Sequence, residues 1–267
     1  MKKNIFALLL VSVLFSCKDT KEIKPLKNTK ITKDTLSTTI ESKNDFAEEE
    51  FKSDFEILIP RSYRTYGKNP AASLNEKWMD LYEENGEYYL GKANFEIEKG
   101  FDECSGDSLL SIMPKNKTVL FIDYPELKTG KVKAVKVQKR KVWPKEKVSF
   151  TFNNVNYTLR GEGKVLSDHK ADAGQDGEEV FKEVAHYKLY LTIGNGPEKL
   201  LLAEEAFQDT FVELLFAGDI DGDEKLDFVF GASRNYEEER VILFLSSKAG
   251  SAQEVKKVSE IAVQFDC

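Results

Sequence analysis

Four aspartates stand close together in a short stretch, residues 218–228, that reads GDIDGDEKLDF. They occupy relative positions 1, 3, 5 and 9 of one loop: Asp219, Asp221, Asp223 and Asp227. Carboxylates at this density repel one another, and a hard cation with oxygen ligands relieves the repulsion. The backbone carbonyl of Lys225, at position 7, is a further candidate ligand. The spacing therefore predicts a Ca²⁺ site, and the alternative is a solvated acidic turn.

The predicted ion has a structural rather than a catalytic role. All four acids lie in one turn, and no histidine, cysteine or lysine-rich pocket is visible beside them. A catalytic metal needs an open coordination position and an acid or base helper. We therefore expect an ion that fixes a hairpin between the apolar runs Phe211–Ala217 and Leu226–Phe230.

The loop resembles known calcium loops. It is similar to the start of an EF-hand, but its flanks read as strands, and positions 6 and 12 are Glu224 and Phe230. The closer resemblance is to the FG-GAP calcium loop of integrin-type propellers, D-x-D/N-x-D-G-x-x-D between two strands. The matched positions are Asp219, Asp221, Asp223 and Asp227, and the glycine of that pattern is Glu224 here. The resemblance implies a metal loop, without implying a propeller or an integrin function.

The elements that must position this loop are predicted as strands. Asn85-Gly86 and Asn153-Asn154 each lie between runs of strand-forming residues and predict two hairpins. Further strands are predicted at Phe55–Pro60, Ser108–Met113, Thr118–Asp123, Leu189–Ile193, Val241–Ser246 and Val255–Phe265. Helical candidates are Ala72–Lys77 and Ala203–Asp209, and Ser167–Glu179 is predicted as a polar loop. The prediction is an all-β, antiparallel body: a sandwich or a pair of packed sheets with few short helices.

The N-terminus has the composition of an export signal. Lys2 and Lys3 precede the apolar run Ile5–Phe15, which is shorter than the roughly 20 residues that span a bilayer as a helix. The run ends in Leu-Phe-Ser before Cys17, which resembles the lipobox of bacterial lipoproteins. That resemblance implies cleavage before Cys17, diacylglycerol on its thiol and attachment to a membrane through the lipid. An ordinary signal peptide is the alternative.

The chain divides into three segments on this interpretation. Residues 1–16 are the signal peptide, 17–54 the lipidated cysteine and a flexible tether, and 55–267 the β-rich domain. The tether is polar with isolated apolar residues, and coil of this length spans roughly 30 Å. Lys18 stands where an aspartate favours inner-membrane retention in some bacteria. We therefore expect an envelope protein of the outer rather than the inner membrane, facing the periplasm or exposed on the surface.

Two cysteines are left once Cys17 carries lipid: Cys104 and Cys267. Outside the cytoplasm, two remaining thiols tend to pair. A Cys104–Cys267 disulfide is predicted, and it would hold the C-terminus to the body. Two separate thiols are the alternative.

Composition and motifs argue against several function classes. The chain has 39 Lys+Arg against 46 Asp+Glu, a net charge of −7, whereas general nucleic-acid binders are usually basic. His169 and His186 are its two histidines, and no His-Glu-x-x-His or Cys-x-x-Cys pair offers a zinc site. The Gly-x-Ser-x-Gly and phosphate-loop patterns are absent from the sequence. We predict no catalytic residue, no nucleic-acid partner and a monomer.

One segment carries an opposite charge balance. From Lys128 to Lys147 there are nine basic residues and one acid, Glu146. This segment is either a docking stripe for an anionic glycolipid or glycan, with Trp143 as a stacking face, or a Lys-studded edge strand that resists aggregation. Four other aromatic residues either face sugar or form core and cross-strand pairs: Trp78, Tyr82, Tyr88 and Tyr89.

These features predict a membrane-anchored envelope lipoprotein with a structural calcium hairpin, acting by binding or scaffolding. Its partner would be an envelope glycan or protein whose identity the sequence does not give. One alternative is an envelope hydrolase that acts on glycan or peptide with a pair of carboxylates. The other is a binder of polyanions or glycans through Lys128–Lys147.

Overall fold

The computed structural model of the chain describes residues 51–65, 69–170, 180–250 and 253–265. These residues form an all-β body, as predicted. Its strands in chain order are β1 Ile57–Leu58, β2 Ser62–Arg64, β3 Met79–Glu84, β4 Glu87–Lys92, β5 Phe95–Phe101, β6 Ser108–Pro114, β7 Lys117–Ile122, β8 Gly130–Val132, β9 Lys147–Phe152, β10 Val155–Lys170, β11 Val180–Ile193, β12 Lys199–Phe207, β13 Glu213–Gly218, β14 Asp227–Gly231, β15 Glu238–Leu245 and β16 Lys256–Gln264. A single 3-10 turn, Pro70–Ser73, is the helical element of the described residues.

The strands form four antiparallel sheets. Sheet A has the order β1-β7-β3-β4-β8, sheet B the order β2-β6-β5, sheet C the order β13-β14-β15-β16, and sheet D the order β12-β11-β10-β9. The paired strands of all four sheets run antiparallel. The antiparallel fold class is therefore confirmed, and the packing is that of stacked sheets.

Sheet C lies between two hydrophobic cores. On one face Val229 and Leu243 pack into a core shared with sheets A and B, which we call the first core. On the other face Phe228 and Phe244 pack into a second core shared with sheet D. Because β14 and β15 are buried on both faces, their sequences are continuous apolar runs rather than alternating ones. Full burial of each such side chain stabilises the fold by about 1.5–3 kcal/mol.

The two predicted hairpin turns are confirmed. Asn85 and Gly86 have φ values of 54° and 80°, and Asn153 and Asn154 have φ values of 46° and 64°. Left-handed backbone at both central residues is the geometry of a type I′ turn, whose twist matches that of the flanking strands. Asparagine and glycine tolerate this conformation at low cost, which is why these dipeptides predicted the turns.

Three local predictions were wrong. Of the helical candidate Ala72–Lys77, only the first two residues are helical, in the 3-10 turn Pro70–Ser73. The helical candidate Ala203–Asp209 lies mostly in β12, whose pairing with β11 overrides the local helix propensity. The polar loop predicted from Ser167 begins later, because β10 continues to Lys170 and β11 starts at Val180. The remainder of that predicted loop, 171–179, lies outside the described residues.

The segment with nine basic residues, 128–147, is mostly not a strand. Its β8 portion is an edge strand of sheet A, and the chain then follows the edge of β13, where Val135 N donates to Ala217 O at 3.0 Å. It ends against sheet D, where Lys145 N donates to Gly161 O at 2.8 Å. A Cβ at Gly161 would lie 2.5 Å from Trp143 O, so a side chain there would block this approach. We call residues 128–147 the basic segment; it connects sheets A, C and D.

Cys267 lies outside the described residues, so the Cys104–Cys267 disulfide stays a prediction. The described neighbours of both cysteines are close together. Arg64 Nε donates to Asp102 Oδ2 at 2.8 Å, and Arg64 Nη2 donates to the carbonyl of Phe265 at 3.3 Å. The second oxygen of Asp102 accepts from Cys104 N at 3.0 Å. Arg64 therefore contacts the residues that lie two positions before each predicted partner in the sequence.

Alkylation of the exported protein without reductant should leave Cys104 and Cys267 unmodified, and alkylation after reduction should label both. Mass spectrometry of the peptides reads the result. Cys267→Ser should lower the free energy of unfolding by about 2–4 kcal/mol, the typical contribution of a disulfide that closes a long loop. Labelling of both thiols in the unreduced native protein would rule out the bond.

Candidate metal centre

The aspartate loop connects β13 to β14, and its two ends are anchored in different cores. Ile220 is buried in the first core and Leu226 in the second. Between them, Gly222 and Glu224 have left-handed backbone, with φ values of 83° and 68°. Such a conformation costs a non-glycine residue about 1 kcal/mol. Two hydrogen bonds hold Glu224 there: its N–H donates to Asp219 Oδ2 at 3.1 Å, and its carbonyl accepts from Asn153 Nδ2 at 2.7 Å.

Three of the four predicted carboxylate ligands converge. Asp219, Asp221 and Asp227 each present an oxygen atom, and these oxygens lie within 4.8 Å of one another. Asp227 is fully buried, while the other two are partly exposed. Asp223 lies beside this cluster, and each of its carboxylate oxygens lies 3.0 Å from Ser246 Oγ. The sequence therefore identified the cluster, and the structure separates its fourth member from the other three.

The loop fixes its own carboxylates through backbone N–H groups. Gly222 N donates to Asp219 Oδ1 at 2.8 Å, and Lys225 N donates to Asp223 Oδ1 at 2.9 Å. The bond from Asp223 N to Asp221 Oδ1 is longer, at 3.3 Å. Aspartates commonly form such turns with backbone two or three residues on. Each carboxylate oxygen keeps a second lone pair, so these bonds orient the group and still allow it to bind a cation.

Asp227 joins the loop to the end of β15. Its Oδ2 accepts from Ile220 N at 2.7 Å, and its Oδ1 accepts from Ser246 N at 2.8 Å and Ser246 Oγ at 3.0 Å. Both oxygens of this buried carboxylate therefore serve backbone groups at the start of the loop and at the end of β15. Asp227 has a structural role whether or not it also contacts an ion.

The charges of the cluster oppose one another. Burial raises the pKa of Asp227 well above its ordinary value, and the nearby charge of Asp221 raises it further, against the hydrogen bonds from Ser246 and Ile220. The pKa of Asp221 is also raised, first by burial and then by the charges of Asp223 and Asp219, against a hydrogen bond from Ser247. A divalent cation would favour the ionised form of each group. The oxygen-only donor set fits the hard ions Ca²⁺ and Mg²⁺.

Sequence reasoning missed Ser246 and Ser247. Ser246 contacts Asp223 and Asp227, and Ser247 Oγ donates to Asp221 Oδ2. The sequence contained part of the signal, two consecutive apolar runs that could pair as antiparallel strands. In the structure β15 pairs antiparallel with β14, and Phe228 lies opposite Phe244. That register brings the residues after β15 beside those that precede β14. Two serines at this point of the chain could have been expected to contact the loop.

Lys225 is turned partly back toward the loop. Its ammonium lies 3.7 Å from Asp223 Oδ2, and its side chain is 63 % exposed. An exposed pair at this distance contributes little to stability. The Lys225 carbonyl stays a predicted metal ligand.

The aromatic residues that could have faced sugar are mainly packing residues. Trp78 is buried, Tyr88 packs edge-on against Phe216, and Tyr82 stacks on Tyr89 across the β3–β4 hairpin. Trp143 stacks on Phe211, with ring centroids 4.0 Å apart. The core and cross-strand interpretation is therefore favoured for these side chains.

His186 is not part of the group of candidate metal ligands found among the described residues. His186 Nδ1 lies 3.1 Å from Glu205 Oε1 on an exposed surface. His169 lies on β10 opposite Phe181, and its side chain is outside the described residues.

Comparison with known proteins finds no matching protein family, no matching curated protein and no matching solved structure. The function is therefore inferred from the sequence and the geometry of the site.

Calcium at millimolar concentration should raise the melting temperature of the protein by about 3 °C, since a tenfold excess over the Kd adds about 1.4 kcal/mol. Asp221→Asn should abolish the shift, because it removes one charge from the cluster. Glu224→Gln is the matched control: it lies in the same loop and removes one exposed charge outside the cluster. An unchanged melting temperature in the wild type, or equal loss in both variants, contradicts a calcium site.

Without calcium, Asp221 should make the protein less stable as the pH rises. Its pKa in the folded chain is raised above the ordinary value of 3.8, so above about pH 3.8 the folded chain binds more protons than the unfolded chain. Linkage then lowers the free energy of unfolding as the pH rises through the raised pKa. The stability of Asp221→Asn relative to wild type should therefore increase with pH. Chemical unfolding in a chelator at several pH values measures the difference, and a constant difference would refute this.

Proposed function

We propose that the protein is a lipid-anchored envelope protein whose β-rich body is fixed by a structural calcium ion and acts by binding or scaffolding. The observation that carries the calcium part is the convergence of Asp219, Asp221 and Asp227 around one buried carboxylate. Burial first, and then the charge of neighbouring carboxylates, raises the pKa of Asp221 and of Asp227, and a divalent cation would stabilise the ionised form of both groups.

A structural role for the ion is supported by what the loop joins. Asp219 N donates to Lys133 O at 2.9 Å, so the loop contacts the basic segment. The Glu224 carbonyl accepts from Asn153 in the β9–β10 turn, and Asp227 accepts from Ser246 after β15. An ion that stiffens this loop therefore stabilises the contacts between sheet C, sheet D and the basic segment. This is the arrangement expected of a calcium ion that stabilises a binding domain.

The anchor is proposed from the sequence of the leader, which ends at Cys17. Residues 1–50, with Cys17, lie outside the described residues. The described chain starts beside β16, where Asp54 N donates to Val258 O at 2.8 Å and Lys256 Nζ lies 2.6 Å from Asp54 Oδ2. Within the described residues, no helix combines the length and apolarity needed to cross a membrane.

A hydrolase with paired carboxylates is not favoured by the clefts of the described residues. One cleft, of about 530 Å³, is lined by three acids, Asp54, Glu56 and Asp123, beside the stacked rings of Phe55 and Tyr124. Asp54 forms an ion pair with Lys256, and none of the three acids is buried. A general acid that works at neutral pH is usually kept protonated by an apolar, buried site. We therefore place a binding or scaffolding role before a hydrolytic one.

Cys17→Ala should abolish labelling with radioactive palmitate and move the protein from the membrane pellet to the soluble fraction after processing elsewhere. Loss of the thiol removes the atom that carries diacylglycerol, and stable anchoring needs more than one acyl chain. Ser16→Ala keeps a small residue before the cysteine and should label normally. Labelling and pelleting of the Cys17→Ala protein would show that the lipid-anchor proposal is wrong.

A further inference from the structure

The basic segment contains two kinds of cation. Three lysines form ion pairs with acids at 2.6–3.2 Å: Lys131 with Glu87, Lys139 with Glu146 and Lys141 with Glu213. The other six cations are exposed and form no ion pair within the part of the chain that the structure describes: Lys128, Lys133, Lys136, Arg140, Lys145 and Lys147. Lys133 instead contacts Asn153 and lies over the Phe152 ring. The structure therefore leaves two thirds of the segment's positive charge without a neutralising acid.

The segment is held against the body by buried side chains and by backbone hydrogen bonds. Two of its apolar side chains are buried, Val132 in the first core and Val142 in the second. Backbone hydrogen bonds attach it further, from Leu214 N to Arg140 O at 2.9 Å and from Lys145 N to Gly161 O at 2.8 Å. The exposed cations therefore belong to a segment that is attached to the body at several points.

The chemistry of this surface fits an anionic partner that is recognised by charge. The whole chain has a net charge of −7, so six exposed cations within 20 residues, none in an ion pair with the described residues, are a local reversal of sign. Such a surface attracts acidic partners at low ionic strength. The one tryptophan of the segment, Trp143, is stacked on Phe211, so its ring is engaged within the protein. Recognition by stacking, which a glycan or single-stranded nucleic acid would use, is therefore disfavoured here.

We propose that the basic segment docks the body on the anionic headgroups of the membrane that holds the lipid anchor. The choice of a membrane as the partner depends on the proposed lipid anchor. If the anchor is present, a coil of about 35 residues keeps the body within roughly 30 Å of the bilayer. The nearest abundant anions are then lipid headgroups. Each lysine or arginine beside an anionic surface strengthens binding by about fivefold, so several acting together produce a measurable affinity.

The test uses the full chain with Cys17→Ala, so that no acyl chain contributes. Sedimentation with vesicles of phosphatidylcholine alone, and with vesicles containing 30 % phosphatidylglycerol, measures binding. We expect binding to the anionic vesicles that weakens as salt rises, since screening reduces these interactions. The leader is common to all variants, so differences between variants report the segment.

Lys136, Arg140 and Lys145 changed together to glutamate should weaken binding to the anionic vesicles by about 100-fold. The matched control changes Lys77, Lys99 and Lys164 to glutamate. These lysines are exposed, lie outside the segment and form no ion pair with the described residues, and the change in net charge is the same. The control should bind like its parent. Melting curves from circular dichroism verify that both variants fold.

Three results would overturn the proposal: equal binding to neutral and anionic vesicles, equal weakening in the two triple variants, or binding to the soluble polyanion heparin without binding to anionic vesicles. Palmitate labelling at Cys17 tests the lipid-anchor proposal independently, because labelling does not involve the basic segment. A chain that is not lipidated but binds vesicles through the segment would refute the anchor alone.

Discussion

The buried carboxylate of Asp227 holds together the parts of the protein that meet at the aspartate loop. It is fully buried, and its two oxygens accept from backbone N–H groups on either side, one at Ile220 and one at Ser246. A buried carboxylate is costly unless it is hydrogen-bonded, and here it is bonded yet still lies close to the charge of Asp221. A bound cation would offset this repulsion between the carboxylates, which the fold already holds in position.

The position of the loop explains why one ion would matter to the whole body. Sheet C has a core on each face, so the turn between β13 and β14 lies where both cores end. The loop contacts the basic segment through Lys133 and the β9–β10 turn through Asn153. A stiffer loop therefore fixes the edge along which the exposed cations are arranged. The proposed calcium site and the proposed docking surface are therefore in direct contact, although each can be tested alone.

Short stretches of sequence predicted the features that depend on the conformation of a few neighbouring residues. Asn85-Gly86 and Asn153-Asn154 predicted hairpins because their backbones tolerate positive φ. The aspartate spacing predicted that Asp219 and Asp221 would lie on one side of the turn, but Asp223, the next alternate residue, contacts Ser246 instead. Contacts that depend on tertiary pairing were missed. Ser246 reaches the loop only through the β14–β15 register, and residues 203–207 are strand because β11 pairs with them. Burial of sheet C on both faces could not be read from the sequence either, since a continuous apolar run does not reveal how many layers cover it.

The most direct measurement is a crystal structure of the protein grown with millimolar calcium, with anomalous diffraction to identify the ion. The account predicts one calcium ion at the loop, with oxygens of Asp219 and Asp221 at about 2.3–2.6 Å. It also predicts that Asp227 keeps its bonds to Ile220 and Ser246, since these hold the loop closed. A well-ordered loop that holds no ion at this concentration, with Asp221 still bonded to Ser247, would contradict the central claim and leave an acidic turn.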